Sequence, residues 1–287
     1  MNKSTTVLYA VAHYAEYIMH HQLNLQGQDG EVIMHKASEK MMLTWCDNGM
    51  VDGKFAEGLV YTVLTSGLPI RGAQRVQGNQ IGRQRQTAFD TWYASDFDWI
   101  LWVDSDIHVT NDALKKIWDI ADAKTMPAVS GTYFISKENE QALMSPYPCL
   151  FMAHPDDIHQ MSYLHPLEPN AIVKCDYAGY GFFLMHRSAA DKMKEFHGKD
   201  KPFFVEHSSG GTDAQFVSED IQFFMLMKQA GVSLHAHTGA TVKHMKRFSY
   251  DYEYYKLFWI TQLVAEETEK KAEAIAPALD SEPIPSD

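Results

Sequence analysis

Apolar residues recur along this chain in two rhythms, and the alternation between them defines its elements. Short runs rich in β-branched and aromatic residues predict strands at 7–11, 41–45, 99–103, 128–133, 149–152, 181–186 and 232–235. Between them, apolar residues spaced three and four apart predict helices at 53–64, 80–95, 111–121, 187–195, 218–229 and 250–267. Strands and helices that alternate in this way imply an α/β layer with a largely parallel sheet, whose ligands sit beyond the carboxyl ends of the strands.

Three segments carry candidate chemistry. In DFDWILWVDSDIHV, an apolar strand ends abruptly in Asp104, Ser105 and Asp106. Carboxylates two residues apart share a face of a regular strand, and a turn there can aim both at one hard cation. The same residues also suit a solvated loop with Asx turns. In SEDIQFFMLMKQAG, Ser218 stands at the N-cap of a helix with Glu219 and Asp220 in its first turn. That is good helix chemistry in itself, and it also offers a general base at a cleft. In DYAGYGFFLMHRS, Gly179 and Gly181 precede an apolar strand, which permits either a close ligand or a bulge. His235, His237 and His244 lie beyond the acidic helix, and a neutral imidazole can complete a carboxylate-rich Mn²⁺ shell.

Composition narrows the class. The chain has 287 residues, 45% hydrophobic and 22% charged, a profile that excludes disorder as its dominant state. Cys46, Cys149 and Cys175 show no C-x-x-C spacing, so neither a zinc ribbon nor a disulfide framework is readable, and a cytoplasmic location, in a bacterial cell or a phage-infected host, is expected. The first residues do not read as a secretion signal, and no window approaches the roughly 18 consecutive apolar residues of a membrane span. The net charge is -12, of which the last 23 residues contribute -5 (seven acidic, two basic). Such a field opposes avid binding of polyanions, with Arg71, Arg75, Arg83 and Arg85 the one dense basic stretch. The aromatic block YDYEYYKLFWI at 250–260 reads first as core, otherwise as a lid, an acceptor platform or an oligomer face. Residues 1–265 are expected to form one catalytic domain, with 1–40 an extension or its true first strand and 266–287 an acidic Pro- and Ala-rich tail.

Taken in order, LTWCDNGMVDGKFAEGL, GRQRQTAFDTW, WILWVDSDI, GYGFFLMHR, SEDIQFF, AGVSLHA and VKH resemble the GT-A class of nucleotide-sugar-dependent glycosyltransferases, in particular compact family-2-like members of bacterial and phage type. Arg85-Gln86 stands where that family carries an Arg-Asn pair. The resemblance implies a Rossmann-like mixed, mostly parallel sheet with D-x-D at the end of a central strand. It implies Mn²⁺ or Mg²⁺ at Asp104, Asp106 and His244, and a nucleoside-diphosphate sugar, UDP favoured, against Thr44, Trp45, Cys46, Arg85, Asp104 and Ser105. It also implies Asp220, with Glu219 beside it, as the base acting on an acceptor hydroxyl. The acceptor is a glycan, a small molecule or modified DNA, the last by analogy with phage enzymes that glycosylate hydroxymethylated pyrimidines. Two other classes fit the carboxylates: a metal-dependent phosphohydrolase or nuclease, and a non-catalytic nucleotide- or glycan-binding module.

Overall fold

The computed structural model describes residues 38–136, 146–208 and 216–246, together with helical positions between Tyr252 and Lys270. The expected strand at 7–11 and the tail beyond Lys270 lie outside the described residues. The chain divides into two compact units, Met1–Met245 and Lys246–Asp287.

The first unit is built on a seven-stranded sheet. In chain order its strands are β1 (Met41–Asp47), β2 (Ile70–Gln77), β3 (Trp99–Val103), β4 (Ala128–Thr132), β5 (Ile172–Cys175), β6 (Phe182–His186) and β7 (Leu234–Thr241). They lie side by side as β5-β7-β4-β6-β3-β1-β2. The pairs β1/β2, β1/β3 and β4/β7 are parallel, whereas β6 runs antiparallel to both β3 and β4, and β5 antiparallel to β7. Five strands therefore point one way and two the other. This is a mixed, mostly parallel α/β sheet, with the D-S-D triplet directly after the interior strand β3.

The buried strands β1, β3 and β6 read as nearly continuous apolar runs because helices cover both faces of the sheet, while the equally buried β4 is made of small residues, AVSGT. Those helices are α1 (Gly53–Thr65), α2 (Ile81–Tyr93), α3 (Asn111–Ile120), α4 (Arg187–His197) and α5 (Glu219–Gln229). Side-chain caps open α1 and α3, where Asp52 accepts from the Lys54 amide and Thr110 from the Ala113 amide. An aromatic cluster of Phe89, Trp102, Tyr180, Phe204 and Phe223 packs α2 and α5 against the sheet, with Phe204 and Phe223 stacked at 4.8 Å between centroids.

Three expectations change. Strand β2 falls in a stretch that shows no apolar run, since its half-buried positions are Gly72, Gln74 and Val76, and Arg71 and Arg75 are exposed positions of this edge strand. The segment expected as a strand at 149–152 belongs to a separate three-stranded sheet with Leu150–His154 at its centre. In the second unit the described positions are helical as expected, yet Tyr252, Tyr255, Trp259 and Ile260 are 49–71% exposed rather than core. Among the described residues no helix is long and apolar enough to cross a membrane.

Candidate active site

Because β1, β2, β3, β4 and β7 share a direction, their carboxyl ends meet at one edge of the sheet. That edge presents Asp47 after β1, Asp104 to Asp106 after β3, Tyr133 after β4 and His244 shortly after β7. The reversed strand β6 begins there, preceded by Gly179 and Gly181, and α5 starts with Glu219 and Asp220.

Backbone bonds fix the D-S-D turn. The Asp104 amide donates to the Gly181 carbonyl at 2.9 Å, the Ile107 amide to the Asp104 carbonyl at 2.9 Å, and the Met245 amide to the Asp106 carbonyl at 2.7 Å. Lys243–His244 pairs antiparallel with Ile107–His108, which sets His244 opposite Ile107. As a result His244 Nε2 lies 3.2 Å from Asp106 Oδ2 while its Nδ1 lies 3.1 Å from the Phe134 carbonyl. The ring of Tyr133 meets that of His244 edge-on at 5.1 Å. Both ring nitrogens thus face oxygen acceptors, and an imidazole that donates from Nδ1 to the carbonyl would offer its Nε2 lone pair to a cation beside Asp106.

Asp104 faces elsewhere. Its carboxylate accepts from Arg85 Nη2 at 3.2 and 3.3 Å, and Arg85 Nη1 donates to Glu219 Oε1 at 2.6 Å. Among the described residues no three His, Cys, Asp or Glu side chains converge to hold a metal ion, so the expected trio of ligands resolves into the pair Asp106 and His244 with Asp104 turned toward Arg85. One carboxylate and one imidazole are a fitting protein contribution to an Mn²⁺ or Mg²⁺ site whose other positions go to phosphate oxygens and water. The Asp106 side chain is 37% exposed and that of His244 13%.

The other expected residues separate into rim and core. Asp220 is half-buried, and its Oδ1 accepts from the Ile221 amide at 2.8 Å and from the Ser218 hydroxyl. Ser218 stands at the N-cap position but spends its hydroxyl on Asp220 rather than on a helix amide. Glu219 is buried; burial pushes its carboxyl up from the usual range, with Arg85 opposing that shift. Arg85 is buried too: desolvation would lower its pKa, but Asp104, Asp220 and Glu219 together raise it, so it stays charged. Gln86 accepts from the Phe203 amide at 2.8 Å and anchors that loop.

Thr44, Trp45 and Cys46 are core side chains rather than rim, because β1 runs on to Asp47 through pairing of Cys46 and Asp47 with Val76 and Gln77. Asp47 is the polar residue the sequence reading missed. Its carboxylate accepts from Arg75 at 2.6 and 2.7 Å, from the Gly49 amide at 2.7 Å and from the Trp45 indole at 3.1 Å. The available signal was the one used for Asp104, an acidic residue that ends an apolar run.

Two of the four arginines of the basic stretch are thereby committed to carboxylates, Arg75 to Asp47 and Arg85 to Asp104 and Glu219, which weakens the case for a polyanion groove. The glycine pair serves internal packing: a Cβ on Gly179 would meet the Tyr133 hydroxyl and the Cys149 sulfur, and the Gly181 amide donates to the Tyr133 hydroxyl at 3.3 Å. Burial pushes the thiols of Cys46, Cys149 and Cys175 up to about 12, so none is a thiolate nucleophile at neutral pH.

No protein-family model matches the chain, and no curated protein does. Among solved structures, the chain is similar to A197 from STIV, with a TM-score of 0.46 and 14% identity over 72% of this chain and 86% of that one. It is also similar to GalNAc-T7, crystallised with UDP, GalNAc and Mn²⁺, with a TM-score of 0.43 and 10% identity over 74% of this chain and 44% of that one. The chain thus spans less than half the length of that GalNAc-T7 chain.

Proposed function

We propose that this chain is a metal-dependent glycosyltransferase that moves a sugar from a nucleoside-diphosphate donor, of which UDP is the favoured nucleotide, to an acceptor hydroxyl. The observation that carries the reading is the pairing of Asp106 Oδ2 with His244 Nε2 at 3.2 Å on the sheet edge where Asp220 opens α5. A carboxylate-imidazole pair on the same sheet edge as a separate carboxylate supports a reaction that needs charge neutralisation on one side and a proton acceptor on the other.

Asp106 and His244 would hold Mn²⁺ or Mg²⁺, which when bound supplies Lewis-acid stabilisation of the negative charge on the departing diphosphate. Asp104 and Ser105 border the same diphosphate. In transfer, the acceptor oxygen bonds to the anomeric carbon as the bond from that carbon to the phosphate oxygen breaks, with its electron pair leaving on the nucleoside diphosphate. In the inverting course Asp220 Oδ2 receives the acceptor proton. Asp220 is suited to this because its Oδ1 is tied down by Ser218 and the Ile221 amide, which fixes the carboxylate's direction. The acceptor class is a glycan or small molecule ahead of modified DNA, since the net charge of -12 and the commitment of Arg75 and Arg85 disfavour a polyanion.

The test is thermal unfolding with nucleoside diphosphates, with Mn²⁺, Mg²⁺ or a chelator present, because a ligand specific to the native state raises the midpoint. A shift with UDP that needs Mn²⁺ or Mg²⁺ and disappears with chelator is expected. Equal shifts with inorganic phosphate, or release of phosphate from simple esters, would instead favour a phosphohydrolase.

A further inference from the structure

Arg85 is a tightly held charge at this edge. Its side chain is 6% exposed, its guanidinium lies 4.8 Å from the centroid of the Tyr180 ring, and its Nε has no partner. A guanidinium taken out of water in this way needs carboxylates, and the two it has come from opposite sides of the site. Asp104 belongs to the turn after β3, whereas Glu219 is the first residue of α5 and the neighbour of Asp220. The approach of α2 to this point depends on Gly82, where a Cβ would lie 2.9 Å from the Phe204 carbonyl oxygen and 3.5 Å from the Glu219 Cβ. The sequence thus leaves room for Arg85 to reach Glu219.

We propose that Arg85 is a positioning residue for the transfer reaction, a clamp that ties the donor-side turn at Asp104 to the first turn of α5 and so fixes where Asp220 stands. The proposal rests on the glycosyl-transfer reading above. It differs from the role implied by the family resemblance, in which this arginine approaches the nucleotide, because both Nη groups are already spent on carboxylates within the protein. A planar fork with two separate Nη donors can hold two acceptors at a set angle, whereas a lysine ammonium is a point charge that cannot reproduce that span.

The experiment compares Arg85→Lys with the double variant Arg85→Met/Glu219→Met. The double change removes both charges of the tightest pair and avoids stranding a buried carboxylate, so it keeps the fold accessible if the single change does not. Three properties are measured in each full-length protein: the affinity for UDP with and without Mn²⁺, kcat and KM for donor and acceptor, and amide hydrogen exchange at the first turn of α5. The clamp predicts UDP affinity within about threefold of the parent, kcat lower by about 100-fold or more with donor KM little changed, and faster exchange at that turn. Arg85→Lys should recover a minor part of kcat.

Parental kcat in the folded double variant would overturn the proposal and leave Arg85 a structural charge. Loss of UDP affinity by tenfold or more in both variants, with uridine binding intact, would overturn it in favour of direct contact with the diphosphate. If the parent protein itself shows no metal-dependent nucleotide binding, the glycosyl-transfer reading fails, and the clamp fails with it.

Discussion

Asp106 and His244 meet across 138 positions of sequence, and at the scale of single residues their pairing makes the clearest prediction. Asp106→Asn preserves shape and removes the negative charge that a hard cation requires, so the metal-dependent part of UDP affinity should fall by at least about tenfold. His244→Ala should do the same, whereas binding without metal should be unaltered in both. Titration calorimetry of UDP with Mn²⁺ and with chelator reads this directly, and an unchanged metal dependence in either variant removes that residue from the ligand set. Asp47 yields a prediction in pH. Hydrogen bonding to Arg75 is the largest cause that holds its carboxyl below the ordinary 3.8. A carboxyl lowered on folding adds stability that is complete above its ordinary pKa and is lost as pH falls through the folded-state value, so the window lies below about pH 4. Asp47→Asn should cost about 1–3 kcal/mol at pH 7, toward the lower end because Arg75 is 39% exposed, and the gap should close in acid. Urea denaturation of both proteins from pH 7 to pH 3 measures the gap; one that stays constant with pH would refute the assignment.

At the scale of elements, the start of β6 shows how packing rather than ligand contact explains a motif. Alanine at Gly179 would force a methyl group into the Tyr133 hydroxyl and the Cys149 sulfur, both buried, which should cost about 1–3 kcal/mol. Tyr133 leans edge-on against His244, so the same change should weaken metal-dependent UDP binding as well as lower the urea midpoint. A midpoint equal to that of the parent would show that the neighbours repack freely. Elements of this kind were legible in the sequence when a single face or run was apolar: β3 was read to the residue, and α1, α3 and α5 to within one residue at each end. Strand β2 was not legible because an edge strand needs little apolar surface, and its Ile70, Gly72, Gln74 and Val76 do not read as a core face. The acidic residues of the site were visible as the ends of apolar runs. Their partners were not, since Arg85 reaches Glu219 across 134 positions and no local pattern encodes such a contact; His244 was singled out from its neighbours only by the family resemblance.

At the scale of the whole molecule, the division of the chain has a consequence for what the second unit is needed for. Every buried hydrophobic residue among those described lies between Met41 and Val242, and Asp104, Asp106, Asp220 and His244 all fall within the first unit. The described apolar positions of the second unit, from Tyr252 to Val264, are 49–71% exposed. A chain ended at Ser249 should therefore keep a single cooperative unfolding transition, because cooperativity follows from one contiguous buried cluster. It should also keep the Mn²⁺-dependent shift with UDP, since His244 is held by its pairing with Ile107 and by the Phe134 carbonyl, both inside the first unit. Scanning calorimetry of the shortened and complete chains, each with and without UDP and Mn²⁺, separates the two properties. Loss of the cooperative transition would mean that residues beyond Ser249 complete the core. A cooperative transition without a nucleotide shift would place part of the donor site in the second unit, and the acceptor preference of the shortened enzyme would then be the property to measure next.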